Sequence, residues 1–175
     1  ALCDTAFSGV YLQDGDMLSL AFAASVDGWV SDSAVTIIVG TPRPEDQRLI
    51  EVTSRALDAG IAAATVGNRI GDISAAIGDV AHAAGLKVNL DFGGHGVGTI
   101  MHQDPHIAND GRAGRGLPLR AGLVFAIEPW FMLGTKKLYT DEDGWTLRSA
   151  DGSRAAHFEH TVAVTDNGPV VLSAR

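Results

Sequence analysis

Apolar and polar positions alternate with period two near both ends of the chain and switch to period 3.6 in between, and this switch sets out the predicted elements. Residues 17–26 form an apolar, β-compatible run entered through the Gln13-Asp14-Gly15-Asp16 turn. The Asp27-Gly28 pair that follows is a two-residue hairpin signal, so residues 29–39 are predicted to return antiparallel to the first strand. In that register position 32 lies opposite Ala23, with Ala21 as its diagonal neighbour. Residues 44–65 then place Leu49, Ile50, Thr53, Ala56, Leu57 and Ile61 on one helical face, behind a first turn holding Pro44 and Glu45. Gly67-Asn68 breaks the pattern. A second helix over 72–84 turns Ile73, Ala76, Ile77, Val80 and Ala81 inward and stops at Gly85. Residues 86–92 read as a short strand delivering a glycine loop, and residues 103–120 read as loop. Strands follow at 123–133, 137–140, 145–149, 156–165 and 170–173, separated by Asp143-Gly144, Asp151-Gly152 and Asn167-Gly168 turns. A hairpin, two helices and a run of antiparallel strands predict an α+β fold, helices backing one curved sheet, in a single domain over residues 1–175.

Composition narrows the function classes. With 46% hydrophobic and 19% charged residues the chain is ordinary globular material. Its formal charge of -8 speaks against nonspecific nucleic-acid binding, which needs a basic surface. The single cysteine, Cys3, excludes an internal disulfide and a thiolate zinc cage. No apolar stretch approaches the roughly 18 residues that span a bilayer, so the expectation is a cytoplasmic protein with no membrane partner. The chain opens at Ala1 with no initiator methionine and reads as a fragment or a processed product.

The chemistry gathers around Gly93-Gly94-His95-Gly96-Val97-Gly98, where an imidazole sits among residues without a Cβ, and around His102 shortly after it. Carboxylates fall inside apolar runs at Asp32, Glu128 and Glu159. Burying several ionised carboxylates costs several kcal/mol each unless something positive pairs with them. A metal ion is the economical partner. Asp32, His95, Glu128 and Glu159 are therefore the candidate ligands, an oxygen-rich set suited to manganese, iron(II), cobalt or zinc. Such a cluster can ready a hydroxide at neutral pH, with His102 placed to hydrogen-bond a polarised carbonyl or orient substrate. His157 and His160 flank Glu159; on a strand His157 shares its face and His160 points the other way, and both read as supporting or packing groups. His82 and His106 are expected at the surface. Trp29, Trp130 and Trp145 are candidates for the core or for a pocket wall, with the core as the default.

Gly94-His95-Gly96-Val97-Gly98, Met101-His102-Gln103-Asp104-Pro105, Ala126-Ile127-Glu128-Pro129, Asp143-Gly144-Trp145-Thr146 and Phe158-Glu159-His160-Thr161-Val162 together resemble type I methionine aminopeptidase, of the pita-bread fold, from about Ala1 to Arg175. The resemblance implies a cytosolic, usually dinuclear metallopeptidase that removes the initiator methionine from nascent chains with a metal-bound hydroxide. It implies cobalt, manganese, iron, zinc or nickel as the divalent metal, and peptide N-termini as partners. Glu128 then doubles as general acid/base, His102 and Met101 contact substrate, and Trp145 forms a wall of the methionine pocket. Two positions depart from the family pattern: Ala21 stands where it has a metal-ligand aspartate, and Ser8 where it has a substrate-contacting histidine. One metal site is thus expected intact and the second weakened. The chain begins after the family's opening half, which is expected to be absent, reduced or supplied by a second chain. Two functions stay open: a metalloaminopeptidase, or a catalytically impaired paralogue serving as a binding or assembly module.

Overall fold

A computed structural model describes residue 9 and residues 11–174, so Cys3 and Ser8 lie outside the described residues. β1 (Met17–Val26) and β2 (Trp29–Ile38) form the predicted hairpin, with Asp32 paired to Ala23 and Ala21 to Ala34. Asp27 and Gly28 take φ of 51° and 82° in its turn, the two positive values that a two-residue connection matched to strand twist requires. Helices α1 (Pro44–Ala63) and α2 (Ile70–Ala83) follow, and Gly85 at φ 70° closes the second. Val52 joins the predicted inward face of α1, whereas Ile50 and Ile61 are half-buried at its margins.

The remaining strands are β3 (Lys87–Val88), β4 (Gly93–Gly96), β5 (Gln103–Ala108), β6 (Val124–Ile127), β7 (Trp130–Met132), β8 (Leu138–Thr140), β9 (Leu147–Ser149), β10 (Ala155–His157), β11 (Glu159–Thr165) and β12 (Gly168–Val171). A seven-stranded sheet runs β1-β2-β11-β6-β4-β5, with β12 also paired to β11; β10-β7-β3 and β8-β9 form smaller sheets. Every ladder is antiparallel. The helices back the sheet, and Leu49, Ile73, Ile77, Phe125, Ile127 and Val162 are completely buried between the layers.

Three differences from the sequence expectation shape the site. The glycine segment is a strand, β4, and residues 103–108 form its partner strand. Glycine is required there because neighbouring backbone passes too close for a side chain: a Cβ on Gly94 would meet Ala126 O at 2.3 Å, and one on Gly96 would meet Asp104 O at 2.2 Å. The expected strand 123–133 is broken at Glu128-Pro129, where proline has no N–H for the ladder. The expected strand 156–165 is broken at Phe158. Both breaks lie at one level, since Ile127 pairs with His160 on one side and Trp130 with His157 on the other. At that level two neighbouring strands pass together from the large sheet into the small one.

The tryptophans also differ from expectation. Trp29 is 66% exposed and Trp145 61% exposed, while Trp130 is half-buried. Trp29 shares one face of the β1–β2 hairpin with Leu20, Phe22, Val26 and Ile37, all exposed, and β1 is an edge strand. Trp145 stands in the turn between β8 and β9, where a two-stranded ribbon supplies no second layer.

Substituting Gly94→Ala should destabilise the fold by about 1–3 kcal/mol in urea titration, the usual cost of forcing atoms into packed space. Gly98→Ala is the control: its Cβ would meet only the end of the Gln103 side chain, at 3.2 Å, and should change stability far less.

Candidate metal centre

Each predicted ligand arrives on an element whose geometry follows from the strand arrangement. Asp32 lies on β2, and its backbone N–H and C=O both bond to Thr161 Oγ1 on β11, at 2.8 Å each. Glu159 opens β11 opposite Ala34, which puts its side chain on the same face as Asp32. Glu128 follows β6 at the strand break, and the Ile127–His160 pairing sets it beside Glu159. His95 projects from β4. The segment after it is tied down by Val97 N–H donating to Val124 O at 3.1 Å and Val30 N–H donating to Gly98 O at 2.9 Å.

The four side chains converge. His95 Nε2 lies 3.4 Å from Glu128 Oε1, 4.0 Å from Glu159 Oε1 and 4.0 Å from Asp32 Oδ2. His95 Nδ1 is 3.1 Å from Gly96 O, a carbonyl that can only accept, so Nε2 is the ring nitrogen turned toward the carboxylates. All four residues are buried. Ligands about 2.1 Å from one ion stand roughly 3–4.2 Å from one another, and His95, Glu128 and Glu159 have ligand atoms all within 4.8 Å of one another, close enough for a single divalent cation, with Asp32 4.0 Å from the same imidazole nitrogen. Glu159 Oε1 is buried without a hydrogen-bond partner, and among the described residues no lysine or arginine pairs with any of the three carboxylates. Burial, reinforced by Glu128 and Asp32, pushes the Glu159 carboxyl up to about 9. Burial also raises Asp32, an effect that His95 opposes. An unpartnered buried oxygen, an imidazole nitrogen facing the carboxylates and an oxygen-rich donor set fit a hard or borderline metal ion.

His102 is exposed on the segment between β4 and β5, with its ring 4.3 Å from that of His95, and Asp32, His95 and His102 form a second group close enough to share an ion. Met101 beside it is exposed. Trp145 is held in its turn by a backbone N–H bond to Asp143 Oδ1. Ala21 pairs with Ala34, which in turn pairs with Glu159, so it lies in a cross-strand row leading to the cluster and offers only a methyl group. His82 is exposed and ion-paired to Asp110, His106 is exposed, and His160 turns away toward Ser173 Oγ, as the strand alternation predicts.

Sequence reasoning understated two residues. His157 Nε2 reaches Glu128 Oε2 at 3.3 Å and Glu159 Oε2 at 3.9 Å, and Trp130 Nε1–H donates to Glu128 Oε2 at 3.0 Å. The spacing Glu128-x-Trp130 and His157-x-Glu159 was the available signal, since alternate residues share a strand face.

Residues 3–166 match metallopeptidase family M24. The chain is 47% identical over 164 residues to a methionine aminopeptidase of Aquifex aeolicus, covering 93% of this chain and 64% of the relative. It is 49% identical over 168 residues to methionine aminopeptidase 1 of Mycobacterium tuberculosis, covering 93% of this chain and 63% of the relative. The crystal structure of methionine aminopeptidase from Rickettsia prowazekii superposes with a TM-score of 0.91 at 36% identity, over 93% of this chain and 66% of that one. The prolidase of Pyrococcus horikoshii, at 22% identity and a TM-score of 0.76, shares the fold. The chain thus spans somewhat under two thirds of the length of these curated relatives.

The Glu159 shift has a sign that can be checked. The folded group binds its proton up to about 9, whereas the same group in the unfolded chain releases it near 4.5, so the metal-free fold loses stability as pH rises between these values. Thermal melts of the metal-free protein should fall from about pH 5 to about pH 8.5, and saturating manganese or cobalt should raise the melt most at the higher pH, because binding needs the carboxylate deprotonated.

Proposed function

The chain belongs to metallopeptidase family M24, and from that premise we propose that it forms the metal-binding part of an aminopeptidase that removes methionine from peptide N-termini in the cytoplasm. The observation that carries the reading is the convergence of Asp32, Glu128 and Glu159 on His95 Nε2 in a buried wall with no lysine or arginine partner among the described residues. The named activity of the curated relatives supports the substrate class. No helix among the described residues is long and apolar enough to cross a membrane.

Asp32, His95, Glu128 and Glu159 would hold the divalent metal. Bound there, such an ion supplies Lewis acidity, polarising a carbonyl and lowering the pKa of water. Glu128 has an oxygen at the cluster and accepts or delivers the proton that moves between attacking water and leaving amine. His102, exposed beside His95, hydrogen-bonds the scissile carbonyl and orients the peptide. Met101 and Trp145 contact the methionine side chain. With Ala21 offering no ligand atom, a second metal position would have only Asp32 and Glu159, so one ion would be held firmly and a second weakly.

A second reading, a binding or assembly module without turnover, is favoured by that same Ala21 methyl in the row leading to Glu159. The exposed residues of β1 accord with a further stretch of chain, or a second chain, lying against the hairpin beside the site.

Elemental analysis together with cleavage of a Met-Ala-Ser peptide under manganese or cobalt separates the two. Metal-dependent release of methionine, reduced about 10²–10⁴-fold in Glu128→Gln, is the expected result. No cleavage with any metal would leave the module reading. Ala21→Asp should raise the bound metal from one ion per chain toward two, as read by calorimetric stoichiometry.

A further inference from the structure

The two oxygens of Glu128 keep different company. Oε1 faces His95 Nε2 at 3.4 Å, whereas Oε2 accepts the Trp130 indole N–H at 3.0 Å and lies 3.3 Å from His157 Nε2. The groups around Oε2 are themselves held. Trp130 and His157 are cross-strand partners on β7 and β10, with ring centroids 4.8 Å apart. Phe92 stacks on the indole at 5.2 Å and an interplanar angle of 10°. The Thr36 hydroxyl grips the His157 backbone, accepting from its N–H and donating to its C=O, both at 2.8 Å. Asn109 Nδ2 donates to the Glu128 carbonyl at 3.0 Å. His157 Nε2 is buried, has no aligned hydrogen-bond partner, and lies 3.9 Å from Glu159 Oε2, so the imidazole points between the outer oxygens of two carboxylates.

We propose that Trp130 and His157 are positioning residues that occupy the outer oxygen of Glu128, so that Oε1 alone is presented to the metal. The proposal rests on the reading of the cluster as a metal centre. An indole N–H can only donate, so Oε2 always faces a donor, and the His157 ring stands against the other side of that oxygen at 3.3 Å. A carboxylate with both oxygens free can swing and chelate an ion through both. One whose outer oxygen is bonded to a fixed ring offers a single ligand atom in a fixed direction, and residues that orient ligands in this way typically govern 10–100-fold in metal affinity.

The test uses the full chain with cobalt(II) as the probe, read by calorimetry and by the visible absorption of bound cobalt. Trp130→Phe keeps a ring for Phe92 to stack on and removes only the N–H donor. His157→Ala removes the imidazole, and His157→Gln restores an N–H donor. Trp130→Phe and His157→Ala are each expected to weaken cobalt binding about 10–100-fold. Both should also lower the intensity of the visible band, because a second Glu128 oxygen raises the coordination number. His157→Gln should recover both properties, and thermal melts of the metal-free variants establish that each is folded. Unchanged affinity and spectrum in both Trp130→Phe and His157→Ala overturn the proposal. So does a loss of one bound cobalt in His157→Ala, which would make the imidazole a ligand. A wild-type chain that binds no cobalt overturns the proposal together with the metal reading. Peptide cleavage is not part of the readout, so an inactive chain that binds cobalt removes only the aminopeptidase reading, and the affinity comparison still decides this one.

Discussion

Burial of three neighbouring carboxylates on one wall, with their mutual repulsion adding to the cost, is the constraint around which this protein is arranged. Asp32, Glu128 and Glu159 are brought within reach of a single imidazole nitrogen, and no lysine or arginine among the described residues relieves them. A core assembled for stability alone would have no use for such a cluster, since apolar residues of similar size would fill the wall at lower cost. The fold tolerates it because Glu159 keeps its proton well into the alkaline range when no cation is present. Stability and function therefore pull in opposite directions at the same oxygen atoms.

The backbone around the cluster absorbs the strain of placing charge inside a sheet. Glu128 comes at the end of one strand and Glu159 at the start of another, both at the level where the chain crosses between sheets. Interrupted ladders there let the two carboxylates lean toward His95 while Trp130 and His157 approach from the other sheet. On the far side of the same strands, Phe125, Ile127 and Val162 anchor the layer against α1 and α2. One face carries the polar chemistry and the opposite face carries the hydrophobic stabilisation, and strand alternation keeps them apart.

Local features were legible in the sequence and long-range ones were not. The hairpin, its turn and the Asp32 register followed from Asp27-Gly28 and from alternation; the helices followed from their periodicity and from Gly85. The four residues of the cluster could be named because carboxylates inside apolar runs violate local rules for a reason. The strand character of 93–96 was hidden, because glycine has low intrinsic strand propensity and its presence there is dictated by Ala126 O and Asp104 O, which belong to other strands. Pro129 marks the first break, but neither it nor Phe158 tells from sequence that the strand resumes in a different sheet. His157 could be placed on the right face but not at the right distance, since its neighbour Glu128 lies far away along the chain. Trp29 and Trp145 are exposed where a general preference for burial, which assumes a second layer over every strand, favoured the core over a pocket wall.

The distribution of the candidate ligands along the chain has a bearing on how the molecule assembles. Asp32 belongs to the first hairpin and Glu159 to the penultimate strand, and both sit in the central part of one sheet. Until β11 has inserted between β2 and β6, no two of the three carboxylates are held together, so an ion present during synthesis meets only scattered weak sites. Closing so long a loop is an entropic cost met by the apolar layer under the sheet before any cation can contribute. The apolar layer, not a cation, therefore carries the cost of bringing these residues together, in contrast to small zinc domains whose ligands cluster within a few tens of residues and whose folding waits for the metal.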